Sequence, residues 1–347
     1  VADPAMDPNA TIEVQSGAVL RTDEGGRIMM FAPVIENRGE ISTPGGQAIL
    51  AASSDRVFLA NSDDPNLRGL LVEVDTGGDV TNLGRIVAER GNVTLLGFAV
   101  NQNGVARATT SVNLNGSVYL LARDKATVQE VTTGASKPVP TRTGTLTLGE
   151  NSLTEVAPDD LAQTAVDAQA QAVSRIELAG KEITLQAGAR VVAPGGNVNV
   201  VATQIPRLEE NPGLTKDIPP NDSKVVMQSG SLIDVSGLAS ALLPMERNII
   251  AVELRGNELR DAPLQRNGPL RGETVYVDVR EGTPLADVSG QIATIQRPLD
   301  ERFSAGGKVK IVSEGAVVMQ ENAVIDVSGG AVRYQDGFLN TTQLVSQ

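Results

Sequence analysis

Three aspartates stand before a Val-Ser pair: Asp234-Val235-Ser236, Asp287-Val288-Ser289 and Asp326-Val327-Ser328. Repeated carboxylates at like positions could form a ladder for calcium, a hard cation that takes several oxygen ligands. The competing reading is local, with Asp and Ser side chains hydrogen-bonding the backbone of a turn. The glycine-rich nonapeptide of calcium-binding β-rolls is absent, so the turn reading is preferred. Adjacent acids occur at Asp63-Asp64, Asp159-Asp160, Glu209-Glu210 and Asp300-Glu301, with many arginines between Arg247 and Arg302. Clustered carboxylates with a basic residue on one groove would suit glycosidic-bond chemistry. Neighbouring acids in a loop point apart, however, and such charge is usually solvated. Sugar-stacking aromatics are scarce, with three Tyr, five Phe and no Trp.

Other chemistry is excluded by residue type. The 347 residues contain no Cys and no His, which removes disulfides, thiolate nucleophiles, Ser-His-Asp triads and His-ligated zinc. A net charge of −13 argues against binding a phosphate backbone, and no nucleic-acid partner is expected. The Gly-Gly pairs are followed by no Gly-Lys-Ser or Gly-Lys-Thr, so they read as turns rather than phosphate cradles. No catalytic, cofactor or metal residues are assigned. The chain is read as a non-enzyme, with a carbohydrate-active lyase or hydrolase on the same fold as the alternative. No stretch approaches the ~20 apolar residues of a membrane helix. Val1-Ala2-Asp3-Pro4-Ala5 is not a signal peptide and has no initiator Met, so the chain reads as a processed piece of something longer.

The elements that would position these residues emerge from a repeat. Gly17-Ala18-Val19-Leu20-Arg21 followed by Gly25-Gly26-Arg27-Ile28-Met29-Met30 recurs at Gly39 to Ala52, at Gly84 to Leu96 and at Gly188 to Ala202. Degenerate copies lie at Gly116 to Ala122 and Gly306 to Val312. Each unit is two short strands around a Gly-rich turn, with a period of roughly 20 residues, in the solenoid range. Alternation sends Val198, Val200 and Ala202 one way and Asn197, Asn199 and Val201 the other. A parallel β-helix follows, all-β and filled with small aliphatics. About a dozen coils would make a rod on the order of 60 Å long. The Asp-Val-Ser segments read as rungs in its second half. Asp in place of Val198 or Ile311 should break a rung.

Within a single rod spanning 1–347, several stretches interrupt the rhythm. Asn61 to Leu67 is a polar loop. The 124–174 stretch is an insertion whose Ala162 to Val173 segment predicts one short helix, with Leu161, Ala165, Val166 and Val173 on one side. A loop insertion covers 205–223. The 238–305 stretch is an insertion or side subdomain with alternating strands near Ile249 and Val275.

Gly25 to Pro33, Glu36-Asn37-Arg38-Gly39-Glu40-Ile41-Ser42-Thr43-Pro44-Gly45-Gly46, Asp55-Arg56-Val57, Ile176 to Ala202 and Gly282 to Gly290 carry a family likeness. They resemble filamentous haemagglutinin-like exoproteins of bacterial two-partner secretion systems. The resemblance implies a right-handed parallel β-helix exported through an outer-membrane β-barrel transporter and held at, or released from, a Gram-negative cell surface. It implies an adhesin, a toxin carrier or a filament subunit, with a surface receptor, further copies or the rest of the parent chain as partners. The family's Asn-Pro-Asn-Gly-Ile and Asn-Pro-Asn-Leu secretion-domain motifs have no clear copy; Asp64-Pro65-Asn66-Leu67 is the nearest. The resemblance is therefore to a central β-helical segment. Absence of Cys fits unfolded passage through an oxidising periplasm.

Overall fold

A computed structural model describes residues 7, 9–62, 64–130, 136–159, 161, 164–206, 221–284 and 286–343. Three long parallel sheets run side by side, and the chain visits them in rotation. The first coil places Thr11–Val14 in the first sheet, Val19–Arg21 in the second and Arg27–Ala32 in the third. The second coil repeats this with Val34–Asn37, Glu40–Ser42 and Gln47–Ala52. The first and second sheets have eight strands each, ending at Ala316–Met319 and Val324–Asp326. This is a parallel β-helix of eight coils. At ~4.8 Å per strand the stack is about 35–40 Å long, well short of a dozen coils, because insertions consume the remaining chain.

The rungs form because alternation and register agree. Ile35, Val80, Val100, Leu146, Ile183 and Val225 are register partners in successive coils, and each is fully buried. The third sheet contributes Leu50, Leu95, Leu120, Leu178 and Val200 in the same way. Each such side chain contributes roughly 1.5–3 kcal/mol of burial. Val198, Val200 and Ala202 face this core, as their alternation predicts. The two glycines of each turn do different work. Gly45 has φ +64°, a left-handed conformation cheap only for glycine. A Cβ on Gly46 would sit 1.7 Å from the Gly26 carbonyl oxygen of the coil before it.

One column of the core is polar. Asn37, Asn82 and Gln102 are register partners with no exposure. Asn37 Nδ2 donates to Asn82 Oδ1 at 2.8 Å, and Asn82 Nδ2 donates to Gln102 Oε1 at 2.7 Å. Gln102 Nε2 ends the chain on the carbonyls of Gly104 and Leu153. The next coils continue the column with Leu148, Leu185 and Met227.

A bare coil takes 20 residues, as from Asp79 to its register partner Ala99. Longer spacings mark insertions, and these leave the coil at only two of its three turns. After third-sheet strands come residues 53–78, 125–144 and 203–223; after second-sheet strands come 159–174 and 235–307. The turn from first to second sheet never exceeds four residues.

Several sequence expectations need correction. The 124–174 stretch is not one insertion, because Thr145–Leu148 and Leu153–Pro158 are rungs of the first and second sheets. Among the described residues no helix follows Leu161. Thr164–Val166 is a strand antiparallel to Gln296–Pro298. Of the expected apolar stripe Ala165 is buried, within that strand, while Leu161 is 55% and Val173 40% exposed, and an Ala- and Gln-rich helix that short is marginal alone. The helices lie elsewhere, at Ser289–Ile292 and Leu299–Arg302. Most of the 205–223 loop lies outside the described residues.

The chain divides into two compact units. The larger holds the coils; the smaller comprises Ala162–Gln171, Leu238–Ser304 and Gly330–Gln347. The smaller unit packs Val252, Leu254, Leu259, Val275, Val277 and Val288 around an antiparallel hairpin of Ile249–Glu253 with Thr274–Asp278. Its early segment is secured by Arg297 on Asp167 and by Arg302 Nε donating to Gln171 Oε1 at 2.8 Å.

Candidate functional site: a walled cleft on the third sheet

The third sheet is Arg27–Ala32, Gln47–Ala52, Asn92–Gly97, Ser117–Asp124, Arg175–Gly180, Asn197–Ala202 and Lys308–Ser313. Its outward side chains alternate with the core, so sequence alone places them in water. Over the middle coils the structure covers them. Residues 53–78 form an antiparallel hairpin of Val57–Asn61 with Leu70–Val74. It lays Leu67, Val72 and Val74 on Ile49, Ala51, Leu96, Tyr119 and Leu121, a second core outside the coils.

A polar row fastens the hairpin tip. Gln47, Asn92 and Ser117 are successive register partners, each 2% exposed or less. Gln47 Oε1 accepts from Leu70 N–H at 2.9 Å, and its Nε2 donates to the Leu70 carbonyl at 3.2 Å. The Asn66 carbonyl accepts from Asn92 Nδ2, Asn115 Nδ2 and Ser117 Oγ at 3.3, 3.1 and 2.9 Å. A second hairpin, Thr127–Glu130 with Ser136–Val139, stands beside the first. Its base is held by Arg142, which pairs with fully buried Asp124 and lies 4.1 Å over the Phe98 ring. Asp124 Oδ2 also accepts from Gly77 N–H at 3.0 Å.

Between these elements lies a cleft of about 560 Å³. The first hairpin supplies Asn61, Asp64, Pro65, Leu67, Leu71 and Glu73; the second supplies Lys137, Pro138, Val139 and Pro140. The sheet supplies Thr94, Tyr119, Leu121, Arg123, Arg175 and Glu177, and Pro206 joins from the start of the third insertion. Three insertions leaving the same turn in different coils thus meet at one place, the pattern expected of a binding face in a solenoid.

Most of the charges here have partners. Glu73 accepts from Arg123 through both carboxylate oxygens, at 3.1 Å from Nε. Burial pushes the Glu73 carboxyl above the usual glutamate range, and Arg123 opposes that shift only in part. Glu177 Oε2 accepts from Arg175 Nε and from Asn199 Nδ2, both at 3.1 Å. Asp64 Oδ1 accepts from Asn66 N–H and Nδ2 at 2.8 and 2.9 Å. Tyr119 differs. Its hydroxyl is buried, and a side-chain interaction with Ser117 offsets that burial only in part. Burial first, and the Asp64 charge second, push its pKa far above the usual tyrosine range.

Among the described residues, Asp64 is the candidate picked out by sequence that lines the cleft, and the others lie elsewhere. Asp234 and Asp326 are register partners, one coil apart. Asp287 belongs to the smaller unit and pairs with Arg260 at 2.7 Å, so its segment is not a rung. All three carboxylates are occupied by their own turns: Ser236, Ser289 and Ser328 N–H donate to them at 2.9, 3.0 and 2.9 Å. Among the described residues no three carboxylates gather as a metal site. Of the acidic pairs, Asp159 binds Arg90 at 2.9 Å and Glu301 binds Arg247 at 2.6 Å. Asp63, Asp160, Glu209 and Glu210 lie outside the described residues. Sequence reasoning passed over Glu73, Tyr119 and Arg123. The available signal was a pair of short apolar, strand-like runs, Val57 to Ala60 and Leu70 to Val74, flanking the polar loop. Comparison with protein-family models gives no match for this chain, and comparison with curated proteins gives none either.

Proposed function

We propose that this chain is a structural segment of a secreted, cell-surface β-helical rod that presents inserted elements for adhesion. The observation that carries this reading is the confinement of insertions to two of the three coil turns, with three of them meeting at the third-sheet cleft. Repeated coils give a scaffold that tolerates insertion without disturbing its core, and the insertions supply the chemically varied surface. Export by two-partner secretion, through an outer-membrane β-barrel transporter of a Gram-negative cell, rests on the likeness in the Gly-Gly coils and on the absence of Cys. Lengthwise association belongs to the same reading. The eighth coil continues the core columns with Val317 and Met319, 47% and 45% exposed, and further coils of the same or another chain would cover them.

The test is cryo-electron microscopy of the protein at its native cell surface, beside the purified chain. Rods or filaments projecting from the outer membrane, with an axial rise of about 4.8 Å per coil, are expected. Protein confined to the cell interior would refute the reading. So would a purified chain that hydrolyses or eliminates across a glycosidic bond at the cleft.

A further inference from the structure

Three Asn-Gly pairs occur in the chain: Asn103-Gly104, Asn115-Gly116 and Asn267-Gly268. An asparagine before glycine is chemically labile, because glycine has no side chain to keep its backbone nitrogen away from the asparagine amide carbon. Attack by that nitrogen closes a succinimide ring. It requires the glycine N–H to leave its hydrogen bond and the main chain to turn toward the side chain. The three pairs are alike in sequence and unlike in structure.

Two of them are locked into the coils. Asn103-Gly104 is the turn between Ala99–Gln102 and Val105–Thr110, strands of the first and second sheets. Both N–H groups of the pair donate to the Asn82 carbonyl of the coil before, at 2.8 and 2.9 Å. A Cβ on Gly104 would lie 2.1 Å from the Gly84 carbonyl oxygen. Asn115 is 7% exposed, and its Nδ2 donates to the Asn66 carbonyl at 3.1 Å. Gly116 N–H donates to buried Thr110 Oγ1 at 2.7 Å. Freeing either glycine nitrogen means opening a coil, and core segments open at a cost near that of global unfolding.

Asn267 is exposed, and it belongs to the smaller unit. Around it the main chain folds on itself through tight turns. Gln265 N–H donates to the Ala262 carbonyl, Gly268 N–H to the Gln265 carbonyl at 3.1 Å, and Arg271 N–H to the Gly268 carbonyl. Among the described residues, the 260–271 stretch joins no sheet, so releasing Gly268 N–H opens a single turn. Asn267 Oδ1 accepts from Arg271 Nη1 at 3.0 Å. That oxygen gains negative charge as the nitrogen attacks, and a donor at this distance stabilises it.

We propose that Asn267 is a site of spontaneous intramolecular deamidation, with Arg271 stabilising the charge that develops on its side-chain oxygen. The Gly268 nitrogen gives its proton to water and bonds to Asn267 Cγ. The Cγ–Nδ2 bond breaks, and Nδ2 leaves as ammonia with a proton from water. A further water opens the succinimide to aspartate or isoaspartate, so the net reaction consumes water and releases ammonium. The product sets a carboxylate beside Arg271 and, as isoaspartate, adds a methylene to the main chain of an exposed loop. This modification does not depend on the rod reading.

The test ages the full chain in ¹⁸O-water at mildly alkaline pH and follows the three Asn-Gly peptides by mass spectrometry. Asn267 should convert at least about tenfold faster than Asn103 and Asn115, the factor that ~1.4 kcal/mol in opening free energy gives. The new carboxylate should carry ¹⁸O, with isoaspartate among the products. In concentrated urea the three rates should converge. Arg271→Ala, at an exposed position, should slow Asn267 by about fivefold and leave the other two rates unchanged, with circular dichroism confirming that the fold is kept. The proposal is overturned if Asn267 reacts no faster than the other two in the folded chain, if its lead persists undiminished in urea, or if Arg271→Ala does not slow it.

Discussion

Replacing Asn82 by Leu tests whether the polar column is an integrated part of the core. Asn82 is fully buried, accepts from Asn37 Nδ2 and donates to Gln102 Oε1. Leucine has the same branching and a similar size, and the same column carries Leu148 and Leu185 two and three coils further on. The substitution creates little strain but orphans two side-chain groups, the Asn37 amide donor and the Gln102 amide acceptor, and also removes the Asn82 Nδ2 bond to the Val105 carbonyl. Each orphaned buried group costs about 1–3 kcal/mol, so Asn82→Leu should destabilise by roughly 2–6 kcal/mol despite adding apolar burial. Adding Gln102→Leu removes one of the two orphans. The double variant should then be less destabilised than the sum of the singles, by about 1–3 kcal/mol. Urea unfolding monitored by circular dichroism, with the slope checked for constancy, gives these differences. A single-variant cost below about 1 kcal/mol, or additivity within about 0.5 kcal/mol, would show that the column tolerates unpaired amides and that its hydrogen bonds do not set the energetics.

Two further outcomes follow from the same geometry. Val198→Asp places a carboxylate in a fully buried position between Ile176 and Val309 and should cost at least ~3 kcal/mol, while Val201→Asp on the outward side of the same strand should be tolerated; equal effects on soluble yield and melting temperature would contradict the alternation. Glu73 titrates above the usual glutamate value of 4.5 because burial outweighs Arg123. A raised folded-state pKa means that its contribution to stability is fully present below 4.5 and is lost as pH rises through the raised value. Glu73→Gln cannot titrate, so as pH rises above 4.5 stability should fall more steeply in the unmodified chain than in the variant; parallel profiles in urea midpoint would rule out the shift.

The coils were legible in the chain because the information that makes them is local. A Gly-Gly pair, a four- to six-residue run of alternating aliphatics and a second Gly turn specify a strand, its buried face and the next bend, and repetition specifies the stack. Val198, Val200 and Ala202 face inward as their spacing requires. The Asp-Ser turns at Asp234 and Asp326 are likewise a contact two residues long. What alternation could not report is what lies outside the sheet. Gln47, Asn92 and Ser117 look like solvent-facing residues until a hairpin from residues 53–78 lands on them. Tyr119 looks like an outward aromatic until the same hairpin buries it. Glu73 and Arg123 are 50 residues apart in sequence and meet only in three dimensions. Thr145–Leu148 and Leu153–Pro158 were lost inside a supposed insertion because no Gly-Gly pair marks their coil. Thr164–Val166 became a strand because Gln296–Pro298, more than a hundred residues later, offered it backbone partners. By itself the sequence determined the coil, its core and its turns, where each interaction spans a few residues or repeats at a fixed period. Only the tertiary structure decided where the insertions land, which outward side chains they bury and which charges they pair, because those contacts join segments with no common period.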